Sequence, residues 1–312
     1  RVQLDTFSQN IINLTFIFLL SLLIASIIIA CLAGIFLAAS FWRKSRERHD
    51  KALDTALLEV SLPRENEIKI DAAEQLFSSL ISIKGAKGIF GFLKAPDIIS
   101  FEIVAKPQDI RFYVGVPNKL RDMVEKQIHG SYPDAQILEV DEYNLFEIVG
   151  KIAYAQLKLS KAHYLPIKTF KDLPVDPLSS ITSTLGKMQE GEAAALQILI
   201  TPTGDTWKKR GRSYITSTKK TEANPETAKY SVDQRELEAI EHKITKPGFE
   251  THIRILAVSS TKESADAHLT NIIGSFSQFS SFNSFDKVKQ RFFKGMAIVD
   301  FIYRQLPLLP NN

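Results

Sequence analysis

Between Thr6 and Trp42 the chain carries no charged residue, and from Ile11 onward that stretch reads IINLTFIFLLSLLIASIIIACLAGIFLAASFW. A bilayer core is crossed by about 20 apolar residues in a helix, which pairs every backbone N–H and C=O where water is absent. A secretory signal has a shorter apolar core behind a basic start, and here the bases lie on the other side. A buried soluble helix would show some polar face, and this run has none. Residues 11–42 are therefore expected to form a transmembrane helix, with 1–10 extracytoplasmic and 43–56 a basic juxtamembrane linker.

Orientation follows from the flanks. Only Arg1 and Asp5 precede the run, whereas Arg43, Lys44, Arg46, Arg48 and Lys51 follow it. The positive-inside bias places that basic end, and everything after it, in the cytoplasm, with a single pass through a bacterial inner membrane. The same five bases suit anionic headgroups, each contributing about 1 kcal/mol near the surface, so membrane lipid is an expected partner. Ser26, Ala30, Gly34 and Ala38 recur every fourth residue. Such a small-residue stripe lets two helices approach closely in lipid and points to a homo-oligomer. The alternative is that small residues, ordinary in membrane helices, fall in line by chance.

The remainder has a different character. Of 312 residues 45% are hydrophobic and 24% charged, with net charge +4, and nearly all the charge falls after residue 42. That charged fraction excludes a wholly disordered chain. The one cysteine, Cys31, sits in the apolar run, which excludes an internal disulfide framework and a cysteine zinc site. Opening on Arg1 and closing on Asn311-Asn312, the chain is expected to be a piece of something longer.

The soluble part reads as two similar halves. In the first, a strand at Leu57–Leu62 precedes a helix at Asp71–Ser82, with Asp71 as N-cap. Strands at Ile98–Ala105 and Ile110–Val116 flank the turn signal Lys106-Pro107-Gln108-Asp109 and read as a hairpin. A helix from Asn118 to His129 and a strand at Ala135–Val140 complete the order βαββαβ. The second half repeats it: Ile152–Leu159, a helix opened by Asp176-Pro177, Ala193–Thr201, Thr251–Val258, a helix at Lys262–Phe279, and a weak strand at Ser284–Val288. The fold class expected is α+β: one transmembrane helix followed by two tandem ferredoxin-like (βαββαβ) domains. Their bounds are 57–150 and 151–295, the second carrying a basic insertion at 202–248, with 296–312 as a C-terminal linker.

Signatures of chemistry are absent. No GxxxxGK[ST] occurs, so there is no phosphate-cradling loop, and catalysis by this chain is not expected. Gly85, Gly88 and Gly91 are spaced by three and lie between a helix and a strand, the reverse of a dinucleotide fingerprint. Lys87–Leu93 resembles the octapeptide of RNA-recognition domains but stands before the wrong strand. The six histidines show no metal-ligand spacing, and neither a cofactor nor a metal is expected. One stretch rises above background: WKKRGRSYITSTKK at 207–220 holds Lys208, Lys209, Arg210, Arg212, Lys219 and Lys220, with Trp207 and Tyr214 among them and no acid. Bases interleaved with aromatic rings attract phosphate backbones and unpaired bases. The competing reading is a solvated loop whose charge pairs with the acids between Glu222 and Glu241.

Several phrases carry a resemblance. They include Leu58-Glu59-Val60, Ala73-Glu74-Gln75-Leu76-Phe77, Phe101-Glu102-Ile103, Ile110-Arg111-Phe112-Tyr113-Val114 and Tyr132-Pro133-Asp134-Ala135. The series goes on with Asp176-Pro177-Leu178, Leu196-Gln197-Ile198, Trp207-Lys208 and Phe276-Ser277-Gln278-Phe279. Together they resemble the N-terminal membrane-anchored region of HerA/TraG-like ATPases of type IV secretion and conjugation, as in candidate-phyla (Patescibacteria-like) bacteria. The resemblance implies a non-catalytic anchoring and assembly module of a DNA- or protein-translocating motor, with copies of itself and other secretion components as partners. The alternatives are a free-standing, membrane-tethered nucleic-acid-binding protein, with single- or double-stranded DNA as partner, and a purely structural scaffold.

Overall fold

A computed structural model describes residues 2–83, 95–145, 150–223, 233–288 and 294–307. The first element, α1 (Val2–Leu53), is one unbroken helix. Its apolar side chains from Leu14 to Leu37 are exposed throughout, so this helix finds no partner surface of its own. It is long and apolar enough to cross a membrane, near the N-terminus, and is the candidate single span. The folded region that follows is described separately.

That region contains eight strands and seven further helices among the described residues. They are β1 (Thr55–Ser61), α2 (Asp71–Leu80), β2 (Ile99–Lys106), β3 (Asp109–Pro117), α3 (Arg121–Ser131), β4 (Gln136–Val140), β5 (Lys151–Leu159), α4 (Pro177–Leu185), β6 (Ala193–Pro202), α5 (Thr206–Ala223), α6 (Gln234–Thr245), β7 (Phe249–Ser259), α7 (Lys262–Ser275), β8 (Phe285–Lys287) and α8 (Lys294–Ile302). Local chemistry accounts for several boundaries. Asp176 caps α4 by accepting from Leu178 N at 2.8 Å, with Pro177 at the first helical position, where its missing N–H costs nothing. Asp71, expected as a cap, instead lies inside the first turn of α2, and no side chain caps that helix. The expected linker at 296–312 contributes most of α8.

All eight strands join one antiparallel sheet in the order β4-β1-β3-β2-β6-β7-β5-β8. This corrects the expectation of two tandem ferredoxin-like domains. The decisive pairing is β2 with β6, seven residue pairs from Ile99↔Ile200 to Ala105↔Ala194, which makes the two halves one continuous sheet. A strand left at the edge of a half would present a row of unpaired N–H and C=O groups. Pairing β2 with β6 removes both inner edges at once.

Side chains alternate across the sheet. One face packs on α2 and α3 through Leu58, Leu76, Leu80, Val116, Val124 and Ile128. Further along, the same face packs on α4 and α7 through Leu185, Leu196, Ile255, Leu269 and Ile272. The opposite face carries Leu57, Val104, Ala195 and Leu256, covered by Leu145 and by Phe301 of α8. The insertion between β6 and β7 is a pair of helices, α5 and α6, with its own small core of Ile215, Leu237, Ile240 and Ile244. Gly211 permits that packing, since a Cβ there would lie 2.9 Å from Ile244 Cγ2.

Candidate functional site

Three arrangements of polar side chains stand out in the folded region. The first lies in the middle of the sheet. At one level of the register a polar residue occurs on six adjacent strands: Glu59, Tyr113, Glu102, Gln197, Arg254 and Gln156. Glu102, Gln197 and Arg254 are at most 2% exposed. Isolated charges at such depth are strongly penalised unless fully partnered.

The C-terminal segment supplies the partners. Arg304 donates from Nε to Glu102 Oε1 at 2.8 Å and from Nη2 to Glu102 Oε2 at 3.2 Å. Its outer edge donates to Glu142, from Nη1 to Oε1 at 2.8 Å and from Nη2 to Oε2 at 3.0 Å. Two forked carboxylate pairs of this kind combine charge with fixed geometry. Tyr143 Oη donates to Glu102 Oε2 at 2.7 Å, and its ring lies beneath the Arg304 guanidinium, 5.8 Å from centroid to Cζ. Gln197 Nε2 bridges Glu102 Oε1 at 3.1 Å and the Phe301 carbonyl at 3.0 Å. Arg254 donates to Gln197 Oε1 and to the carbonyls of Asp300 and Gln305.

Gly115 forms part of the seat: a Cβ there would stand 2.3 Å from Ser100 Oγ and 2.7 Å from Arg304 Cδ. Arg304 itself adopts φ +51, a left-handed conformation uncommon outside glycine and asparagine. Burial acts to lower its pKa, but the two carboxylates outweigh burial and hold it above the ordinary arginine value. Burial, with Glu102 alongside, pushes the Tyr143 phenol well up. The Arg304 guanidinium thus faces two carboxylates while Arg254 holds an amide and two backbone carbonyls, and the arrangement clasps the segment 300–305 onto the sheet.

The second arrangement is α5, which carries every residue of the expected nucleic-acid stretch. The structure divides them by face. Trp207 packs into the core between α5 and α6, its ring against Gly248. Tyr214 faces the same way, its ring tilted against Tyr164 with centroids 5.1 Å apart, and donates to Glu236 Oε1 at 2.7 Å. That carboxylate, with burial, pushes the phenol up to about 12. Lys208 is half-buried beside the Trp207 ring and 3.8 Å from Asp205, and Lys219 pairs with Glu241 at 2.9 Å. Lys209, Arg210, Arg212 and Lys220 are exposed and make no ion pair among the described residues. The two rings therefore serve the helix pair, and only the bases face outward.

The third is a groove between α4 and α7. At its rim Glu192 accepts from Ser264 Oγ at 2.8 Å, Ser259 Oγ at 3.0 Å and the Gln189 N–H at 3.1 Å. His268 Nε2 lies 2.9 Å from Oε2, the oxygen that also takes the Gln189 N–H. Burial raises the Glu192 pKa, but these donors outweigh it and bring the group down to about 2.

The remaining expected residues lie on α1. Ser26, Ala30, Gly34 and Ala38 are exposed along it, with Ser26 Oγ donating to Leu23 O of its own helix. Among the membrane-surface bases, Arg46 lies over the Trp42 ring at 5.7 Å. Arg43, Lys44 and Arg48 occupy the same end of α1. Lys51 bonds Asp97 at 3.1 Å, which also takes Lys119 at 2.7 Å, so this base serves the folded region. The glycine-rich stretch Lys87–Leu93 lies outside the described residues. No group of three or more histidine, cysteine or acidic side chains is placed to hold a metal among the described residues.

The clasp escaped sequence reasoning although its signal was present. Phe101-Glu102-Ile103, Leu196-Gln197-Ile198 and Ile253-Arg254-Ile255 each set one polar residue inside an apolar strand. A single such residue looks like noise. Three that share one register level do not.

Two solved structures similar to this chain are an aclacinomycin oxidoreductase (7% identity, TM-score 0.34) and a glycopeptide hexose oxidase complexed with teicoplanin (10%, TM-score 0.31). Each comparison covers 72% of this chain and 41% of the other, so the chain spans about two fifths of their length. Superpositions this loose carry no inference about chemistry. No curated protein matches the chain. No comparison ties the chain to a translocating motor, and the expected role as the anchor of a type IV secretion motor is corrected accordingly: the chain's family is one of unknown function. Residues 44–303 match the family described as Domain of unknown function (DUF8128), which takes in the whole sheet and stops one residue short of Arg304, and the chain belongs to that family.

Proposed function

We propose that the chain is a single-span membrane protein whose folded region binds an anionic lipid surface through the outward side of α5. The observation that carries this reading is the division of α5 into two sides. Its rings and apolar groups are engaged by α6, while Lys209, Arg210, Arg212 and Lys220 stand exposed without ion pairs among the described residues. Each base near an anionic surface contributes about 1 kcal/mol. Contacts this weak suffice when a tether raises the effective concentration to about the millimolar range. With α1 as the span, the basic residues after Trp42 put the folded region on the cytoplasmic side of a bacterial inner membrane. Stacking on unpaired bases would need free aromatic rings, and Trp207 and Tyr214 are packed inward, which favours lipid phosphate over nucleic acid.

The test places a fluorophore at exposed Ser213, as Ser213→Cys in a Cys31→Ser background, and reconstitutes the full chain in vesicles. A headgroup quencher should dim the label in phosphatidylserine-containing vesicles at low salt. It should not do so in pure phosphatidylcholine or at high salt, where charge is screened. Equal quenching in both lipids overturns the reading. So does salt-dependent binding of a single-stranded oligonucleotide to these bases without any response to anionic lipid.

A further inference from the structure

Beyond the α5 surface, we propose that the groove between α4 and α7 binds a small phosphorylated polyol: a phosphate ester that also carries free hydroxyls. The groove is open to solvent and offers about 480 Å³, within the size range of small-molecule sites. Below it the two helices meet through Ile181, Leu185, Leu269 and Ile272, so its base is a packed core and its rim is polar.

The chemistry of the rim selects the ligand. Lys187 and His268 line the groove, and the nearby carboxylate of Glu192 is taken up by His268, Ser259, Ser264 and the Gln189 N–H, so the lining favours an anion. Lys187 makes no ion pair among the described residues. His268 is oriented by Glu192, which occupies Nε2 and leaves the second ring nitrogen for the groove the ring borders. Ser180, Thr184 and Asn271 add hydroxyl and amide groups able to exchange hydrogen bonds with a polyol. Thr184 Oγ1 donates to the Ser180 carbonyl at 2.9 Å and lies 3.3 Å from Ser275 Oγ, which leaves it one lone pair to accept with. The lining has no phenylalanine, tyrosine or tryptophan ring, and its one ring is the imidazole of His268, held by Glu192.

Gly274 keeps the groove open. It is the last residue but one of α7. A Cβ at this position would meet nothing within 4 Å. A side chain placed there would enter the groove without disturbing the core.

The experiment is calorimetric titration of the purified full chain in phosphate-free detergent with sn-glycerol 3-phosphate, inorganic phosphate and glycerol. Saturable binding of the ester, weaker binding of phosphate and none of glycerol are expected. Lys187→Met should weaken the ester about tenfold, the loss of one charge-assisted hydrogen bond. Gly274→Leu should abolish binding while the protein melts no lower than its parent. Displacement of bound ester by phosphatidylglycerol micelles would identify a lipid headgroup as the source, and failure to displace it a soluble ester. No saturable heat with the ester overturns the proposal, as does unchanged affinity in Gly274→Leu. Phosphate binding as tightly as the ester overturns its polyol part. Substituting the α5 bases should leave these titrations unchanged, so failure here and failure of the lipid reading are told apart.

Discussion

Arg304 and Arg212 are the same residue type in two opposite situations. Arg304 is 8% exposed and forks onto two carboxylates over a tyrosine ring, whereas Arg212 stands in solvent with no ion pair among the described residues. In the sheet-face clasp, removing one charge strands another in a medium of low dielectric. On α5, removing a charge strands nothing. Buried charge in this protein therefore serves stability, and exposed charge is what remains available for a partner.

The largest expected effect follows from breaking the clasp. Arg304→Ala leaves Glu102 buried without its counter-charge and should cost about 3–5 kcal/mol in denaturant melts of the full chain. Arg304→Met combined with Glu102→Gln removes both members of that ion pair together and should recover most of that loss. A double variant no more stable than the single one would show that packing, not charge matching, holds the segment.

Next in size is Gly115→Ala, because the added Cβ would stand 2.3 Å from Ser100 Oγ and displace the Arg304 stem. Overpacking of this kind costs about 1–3 kcal/mol. A melt within experimental error of the parent would mean that the Arg304 side chain has another seat.

A smaller effect is expected in acid. Glu192 is held at about 2 against an ordinary 4.5, so its folded-state pKa is depressed. Its contribution is complete above pH 4.5 and is lost as pH falls toward about 2. Glu192→Gln should flatten the part of the stability profile between those values. A profile unchanged by that substitution would show that the four donors around Glu192 do not favour its charged form.

The smallest effect on stability is expected from changing Lys209, Arg212 and Lys220 together to Ala, within about 0.5 kcal/mol per site. The same variant should lose salt-sensitive association with anionic vesicles, scored by the Ser213 label. A large drop in stability with binding intact would erase the distinction between the two regions.

Much of the secondary structure was legible because its causes are local. The apolar run to Trp42 can satisfy its backbone only within a helix, whatever surrounds it. Asp176-Pro177 opens α4 through a side chain and a ring that act within one turn. Runs rich in branched, aromatic and other apolar residues mark most strands wherever they pair.

What the sequence could not reveal depends on separations of about 50 to 200 residues. The β2–β6 pairing joins Ile103 to Leu196, and nothing in either strand names its neighbour, since any edge offers the same N–H and C=O groups. Glu102 and Arg304 are ordinary charges until the sheet brings them within 2.8 Å. Trp207 and Lys209 share one basic stretch, and only the docking of α6 turned the ring inward and left the base in water. Local patterning determined which segments became helix or strand; tertiary packing decided which charges are buried, because the cost of a charge depends on what surrounds it and not on its neighbours in the chain.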